Sequence, residues 1–291
     1  HAPVQVQSMT GAVSVSAGET HSLAMKYDGT AWAWGENGND AGLGYGQGRL
    51  GDGTTIDRHT PVQVQSLTGV TNAAGGGYHS AAVKSDGSVR TWGGNNNGQL
   101  GDGSTTGRLT NVAASGLTSG ISAVDGGLLH TCALTTGGGV KCWGDNTYGQ
   151  VGDDSTTDRS TAVNVSGLSS GVSQVSGGAY HTCALTSAGA VQCWGRNQYG
   201  QLGDGSTTDR HTPVSGGALP GVQFSAASAS GSEGTATVNI TVAIPSAINQ
   251  DVTANYALTG TATGGGTDYD LADKLYVVGG NNDSSGAAVN S

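Results

Sequence analysis

One phrase recurs four times along this chain, and the repetition constrains its fold more than any local signal. The copies read HSLAMKYDGTAWAWGENG from His21, HSAAVKSDGSVRTWGGNNNGQLGDGSTTGR from His79, HTCALTTGGGVKCWGDNTYGQVGDDSTTDR from His130 and HTCALTSAGAVQCWGRNQYGQLGDGSTTDR from His181. Their tryptophans, Trp34, Trp92, Trp143 and Trp194, are spaced by 58, 51 and 51 residues. A period in this range marks an array of one supersecondary unit, whose core is completed only by its neighbours. Such arrays act through the surface their units build together, so a lone catalytic constellation is not the first expectation.

Inside each unit the signals are those of short antiparallel strands. Runs such as PVQVQS, VTNAAGGGYHSAAVK and SVRTWG are separated by Asp-Gly or Gly-Gly turns, and no segment sustains a helical period. The 53 glycines would suggest low complexity if scattered, but Gly35, Gly93, Gly144 and Gly195 each follow a repeat tryptophan. That regularity indicates turns requiring positive φ. Four strands per unit of about 50 residues describe a β-propeller blade. The expected fold class is therefore all-β, with propeller blades over 1–215.

The pattern His-x-x-Ala-Leu, then Trp-Gly-x-Asn-x-x-Gly-Gln-Leu-Gly-Asp-Gly, then Arg-x-x-Pro-Val resembles the regulator of chromosome condensation repeat. The resemblance implies a propeller, usually of about seven blades, so four units are incomplete relative to such a ring. The first unit also carries an insertion, Asp40 to Gln47, and the repeat is read as ending after Val214. From Val222 the text changes. Residues 216–271 resemble a Calx-beta domain through Ser232-Glu233-Gly234 and GTATGGGTDYDL, and 272–291 resemble the opening of a kelch repeat through LYVVGG. The resemblance implies a partial β-sandwich in this region.

Four cysteines occupy the same two repeat positions in the last two units, Cys132 with Cys142 and Cys183 with Cys193; the earlier units have neither. Each pair flanks a Gly-containing turn, so a disulfide across each hairpin is expected, and with it an oxidising compartment. A four-thiolate zinc site is the competing reading, which the ten-residue spacing disfavours. The histidines His21, His79, His130 and His181 suggest either a metal ring around the axis or imidazoles that bond backbone inside their own blade. No carboxylate recurs beside them, which favours the structural role. The repeat tryptophans are expected to pack between sheets, with Trp32 more exposed. Asp52, Asp102, Asp153 and Asp204 are read as turn formers, and Arg58, Arg108, Arg159 and Arg210 as stitching blade to blade.

The net charge is −10 with no basic stripe, which argues against nucleic acid, and no apolar run is long enough to insert in a membrane as a helix. Residues 216–291 hold six carboxylates and one lysine, making calcium the one cofactor suggested, with Glu233 and Asp268 as its ligands. No nucleophile elbow, His-Glu-x-x-His or phosphate-binding loop is present. The functional expectation is a non-enzymatic extracellular or cell-surface binding or adhesion segment of a larger repeat protein, recognising a protein or glycan through propeller loops. The alternatives are a self-associating subunit of a filament or matrix, and a regulator of a secreted enzyme or a guanine-nucleotide exchange factor.

Overall fold

The structure is a computed structural model that describes residues 2–38 and 47–215, together with the backbone of two short strands further on. The first compact unit, His1–Gly217, contains four sheets of four antiparallel strands and, among the described residues, no helix. Blade 1 comprises β1 (Ala12–Ala17), β2 (His21–Lys26), β3 (Ala31–Gly35) and β4 (Arg58–Gln63). Blade 2 comprises β5 (Val70–Gly75), β6 (His79–Lys84), β7 (Val89–Gly93) and β8 (Arg108–Ala113). Blade 3 runs β9 (Ile121–Gly126), β10 (His130–Thr135), β11 (Val140–Gly144) and β12 (Arg159–Asn164), and blade 4 runs β13 (Val172–Gly177), β14 (His181–Thr186), β15 (Val191–Gly195) and β16 (Arg210–Ser215). In the second unit, Ala218–Ser291, β17 (Gln223–Phe224) pairs antiparallel with β18 (Val242–Ala243).

Within each blade the strands pair in chain order, and the first strands of successive blades lie against one another at the axis. The Arg-x-x-Pro-Val run is therefore the outermost strand of the blade whose tryptophan precedes it, not the opening strand of the next. That phasing suits proline: Pro61 and Pro213 lie in the outer-edge strands β4 and β16, where a missing N–H donor is tolerated.

Local chemistry sets each hairpin. Between β6 and β7, Asp86 accepts from the Ser88 N–H at 3.0 Å and Gly87 adopts φ 75°. The tryptophan-glycine step breaks register against the outer strand. In blade 3 the shift falls between Cys142 and Gly144, and Gly144 sits at φ 104°. A Cβ there would lie 2.5 Å from the Leu129 carbonyl oxygen, so the position requires glycine both for conformation and for space.

The core lies between blades. One cluster joins Leu23, Ala31, Leu50 and Val64 of blade 1 to Val70, Ala82 and Trp92 of blade 2. A second joins Val83 and Val89 to Ile121, Val124 and Trp143, and a third joins Leu134, Val140 and the Cys132–Cys142 pair to Val172, Val175 and Trp194. Blades 2 and 3 are thus each half of two interfaces and blades 1 and 4 half of one, so each unit depends on a neighbour to bury its apolar face.

Candidate functional site

The loops between first and second strands and those between third and fourth strands emerge on one face of the arc. Two layers can be distinguished there, a buried relay holding the blades in place and a partly exposed aromatic cluster beside it.

The relay begins at the repeat histidines. His21 Nε2 meets Ser80 Oγ at 2.8 Å, His79 Nε2 meets Thr131 Oγ1 at 2.7 Å, and His130 Nε2 meets Thr182 Oγ1 at 2.9 Å. Each hydroxyl in turn donates to a main-chain carbonyl: Ser80 to Arg49, Thr131 to Gln99 and Thr182 to Gln150, at 2.8, 2.8 and 2.9 Å. Because the hydroxyl proton is committed to the carbonyl, the histidine must donate from Nε2, leaving Nδ1 unprotonated. The same carbonyls accept the indole N–H of Trp92, Trp143 and Trp194 at 2.9, 2.8 and 2.9 Å. All three tryptophans are fully buried, whereas Trp34 is half-buried.

The imidazole partner is therefore a side chain of the following blade, not the backbone of its own. Burial holds these rings neutral. Desolvation, with a contribution from the Arg49 charge, lowers His21 to about 3; desolvation lowers His79 and His130 to about 3 as well. Buried Nδ1 atoms of His21, His79 and His130 face no donor. Among the described residues no group of three or more His, Cys, Asp or Glu is placed to hold a metal ion.

The arginine series also differs from expectation, since each guanidinium clamps a turn of its own unit. Arg58 reaches Asp52, Arg108 Asp102, Arg159 Asp153 and Arg210 Asp204 at 2.7, 2.8, 2.6 and 2.7 Å. Six residues separate the partners, so the ion pair closes the Gly-Asp-Gly/Asp turn locally. The aspartates accept from Ser or Thr two residues on, as at Ser104 N–H to Asp102, 2.9 Å. Hydrogen bonds from Ser206, then the adjoining Arg210, hold the Asp204 carboxyl below the usual carboxylate range.

Cys132 and Cys142 stand opposite each other on β10 and β11, as do Cys183 and Cys193 on β14 and β15, and both pairs are disulfide-bonded with Cα atoms 4.1 Å apart. Trp32 is half-buried, donates to Thr30 Oγ1 at 3.0 Å and lies under the Lys26 ammonium at 5.4 Å.

Beside the relay is a feature that reading for repeat constants passes over. The Arg196 guanidinium lies 5.0 Å from the Tyr148 ring, 5.4 Å from Tyr180 and 5.9 Å from Tyr199. Tyr148 and Tyr180 meet edge to face at 5.6 Å, and Tyr199 is 81% exposed. Arg196 is further fixed by Gln198. A related pair, Arg49 over Tyr78 at 5.2 Å, occurs on the same face. These residues occupy variable repeat positions, so their grouping needs the fold to become visible. Of the remaining candidates, Glu233 and Asp268 lie outside the described residues, as does most of the Asp40–Gln47 insertion.

Family comparison agrees with this architecture. One regulator of chromosome condensation (RCC1) repeat model matches residues 12–41, 70–99, 121–150 and 172–201, and a second matches 28–83, 138–185 and 188–238. The chain belongs to the regulator of chromosome condensation repeat family. The second model reaches residue 238, beyond the point at which the repeat was read as ending. Neither match supports the Calx-beta and kelch resemblances after residue 216.

Among curated proteins the chain is 34% identical over 218 residues to the ultraviolet-B receptor UVR8 of Arabidopsis thaliana, covering 73% of this chain and 48% of that protein. It is 35% identical over 207 residues to the human probable E3 ubiquitin-protein ligase HERC3, covering 69% of this chain and 19% of the ligase. The chain therefore spans about half or less of these relatives. Human WBSCR16 superposes with TM-score 0.62 at 24% identity, over 73% of this chain and 55% of that one. Prp20p of Saccharomyces cerevisiae, whose structure is described with its binding to Gsp1p and histones, superposes with TM-score 0.59 at 21% identity, over 73% and 52%.

Proposed function

We propose that this chain is a non-enzymatic protein-binding segment of a larger repeat protein, acting outside the cell or at its surface. The observation that carries the reading is the Arg196 cluster. Tyrosine and arginine are the residues that concentrate binding energy in protein interfaces, and here Tyr148, Tyr180, Tyr199 and Arg196 project together from loops on rigid blades. Stacking with the rings limits the side-chain entropy that Arg196 would lose on binding. Two disulfides support an oxidising location. A protein ligand is preferred to a glycan because the cluster combines three tyrosine rings with one guanidinium, the side chains most enriched at the energetic centres of protein interfaces.

The test is affinity capture from culture supernatant and cell-surface extract, with the wild-type chain and the Arg196→Ala/Tyr199→Ala double variant as baits. A protein retained by the wild type and lost with the variant supports the reading; identical capture by both baits overturns the placement. Binding only to an immobilised glycan panel overturns the choice of a protein ligand.

A further inference from the structure

At the end of the blades opposite the Arg196 loops, the junction between blades 1 and 2 opens into a cleft of about 490 Å³. One wall is the β4–β5 connection at residues 65–68; the other is formed by Lys84, Arg90, Thr110 and Asn111 of blade 2. The Asn111 side-chain amide donates to the Gln65 carbonyl at 2.7 Å and ties the two walls together. Both walls belong to blades 1 and 2, so the cleft is complete without any further unit.

The register of blade 2 explains why two cations meet there. Arg90 stands opposite Ala82 on the neighbouring strand, and Lys84 lies two residues beyond Ala82. Side chains alternate along a strand, so all three share one face of the sheet. Ala82 packs in the core between blades 1 and 2, which turns that face toward blade 1. Among the described residues Arg90 has no hydrogen bond or ion pair, and Lys84 meets only the exposed Asp86, at 3.5 Å. No carboxylate belongs to the described lining, although the chain holds 21 acidic residues against 11 Lys and Arg.

The fold itself does not require this pair. The equivalent positions are Thr135 with Lys141 at the next junction and Thr186 with Gln192 at the one after, and Lys141 is taken up by Asn164 at 2.6 Å. Leu67 is the one apolar residue of the described lining. Small-molecule pockets are ordinarily mostly apolar, so a polar cleft of this size suits a ligand that is itself polar over its surface. Guanidinium and ammonium groups left without a counter-charge suit an oxyanion.

We infer that this cleft binds a small hydroxylated anion, a sugar carrying a phosphate, sulfate or carboxylate group. Arg90 and Lys84 hold the charged group, while Gln65, Ser66, Thr68 and Thr110 bond the sugar hydroxyls. The site is separate from the Arg196 cluster and does not depend on it.

Calorimetric titration of the full chain tests the inference, with glucose 6-phosphate, glucose 6-sulfate, glucuronate and uncharged glucose as probes. At least one charged sugar is expected to bind where glucose does not, and the one that binds tightest names the charged group. Arg90→Gln and Lys84→Gln should each weaken that binding by roughly tenfold. Lys141→Gln, at the equivalent place one junction on, should leave it unchanged. Unaltered melting temperatures without ligand would verify that the variants keep their fold. Binding of no charged sugar at concentrations up to about 10 mM, glucose bound equally well, or affinity unaffected by Arg90→Gln overturns the proposal. Equal weakening by Lys141→Gln overturns the location.

Discussion

Acid should unfold this protein through its buried histidines, well before its carboxylates matter. His21, His79 and His130 titrate near 3 in the folded chain and near 6.5 when exposed. Between these values the unfolded state binds protons that the native state refuses, so stability is complete above about pH 6.5 and falls as pH decreases. Each histidine contributes a slope approaching 1.4 kcal/mol per pH unit, about 2 kcal/mol lost by pH 5, or roughly 6 kcal/mol for the three. The Arg-paired aspartates Asp52, Asp102 and Asp153 are held below their ordinary value and add their own loss only in stronger acid. Asp125 acts in the opposite sense, since burial raises its carboxyl, but it is one group against four, because desolvation lowers His181 as well. Denaturant midpoints of the reduced-salt protein at pH 7, 6 and 5 measure the slope. His130→Gln keeps a side-chain donor while removing one titrating ring, and should lower the slope between pH 6 and 5 by about a third. Stability constant to within about 1 kcal/mol from pH 7 to 5 would refute the neutral, Nε2-protonated relay.

Further expectations concern the junctions and turns. Trp143→Ala should cost about 3–5 kcal/mol by denaturant titration, because it empties the blade 2–3 core and removes one of the two donors to the Gln99 carbonyl, leaving Thr131 alone; a loss under 1 kcal/mol would contradict that packing. Gly144→Ala should destabilise far more than Gly167→Ala: both have positive φ, but only Gly144 faces a backbone oxygen where the Cβ would go, and equal melting temperatures would argue against the close approach. Removing one bridge as Cys132→Ala/Cys142→Ala should cost about 2–3 kcal/mol on the loop-entropy estimate, less any gain from relaxed packing, and an unchanged denaturation midpoint would count against its role.

The blades were legible because the repeat fixes both strand period and turn chemistry: tryptophan-glycine, Asp-Gly and the cysteine pairs each report a local geometry. Contacts between repeats were harder to read. The partner of His79 is Thr131, which directly follows His130, so in a column of aligned units it looks like part of the same local phrase. A hydroxyl after each histidine was the available signal, since Ser22, Ser80, Thr131 and Thr182 keep that column polar in an otherwise apolar strand. The arginine series misled for the converse reason. Its aspartate partner lies only six residues away, and a turn closes that distance without a neighbouring blade. Arg196, Tyr148, Tyr180 and Tyr199 escaped notice because they are variable positions drawn from two units and three loops, and only blade stacking brings them together.

Hydrogen–deuterium exchange of the chain with the protein it captures tests the central claim most directly. If the loop face is the binding surface, amides within residues 145–152, 177–181 and 195–200 should exchange more slowly in the complex, while the outer strands β8, β12 and β16 should be unchanged. Protection confined to those outer strands, with the Arg196 loops unaffected, would contradict it.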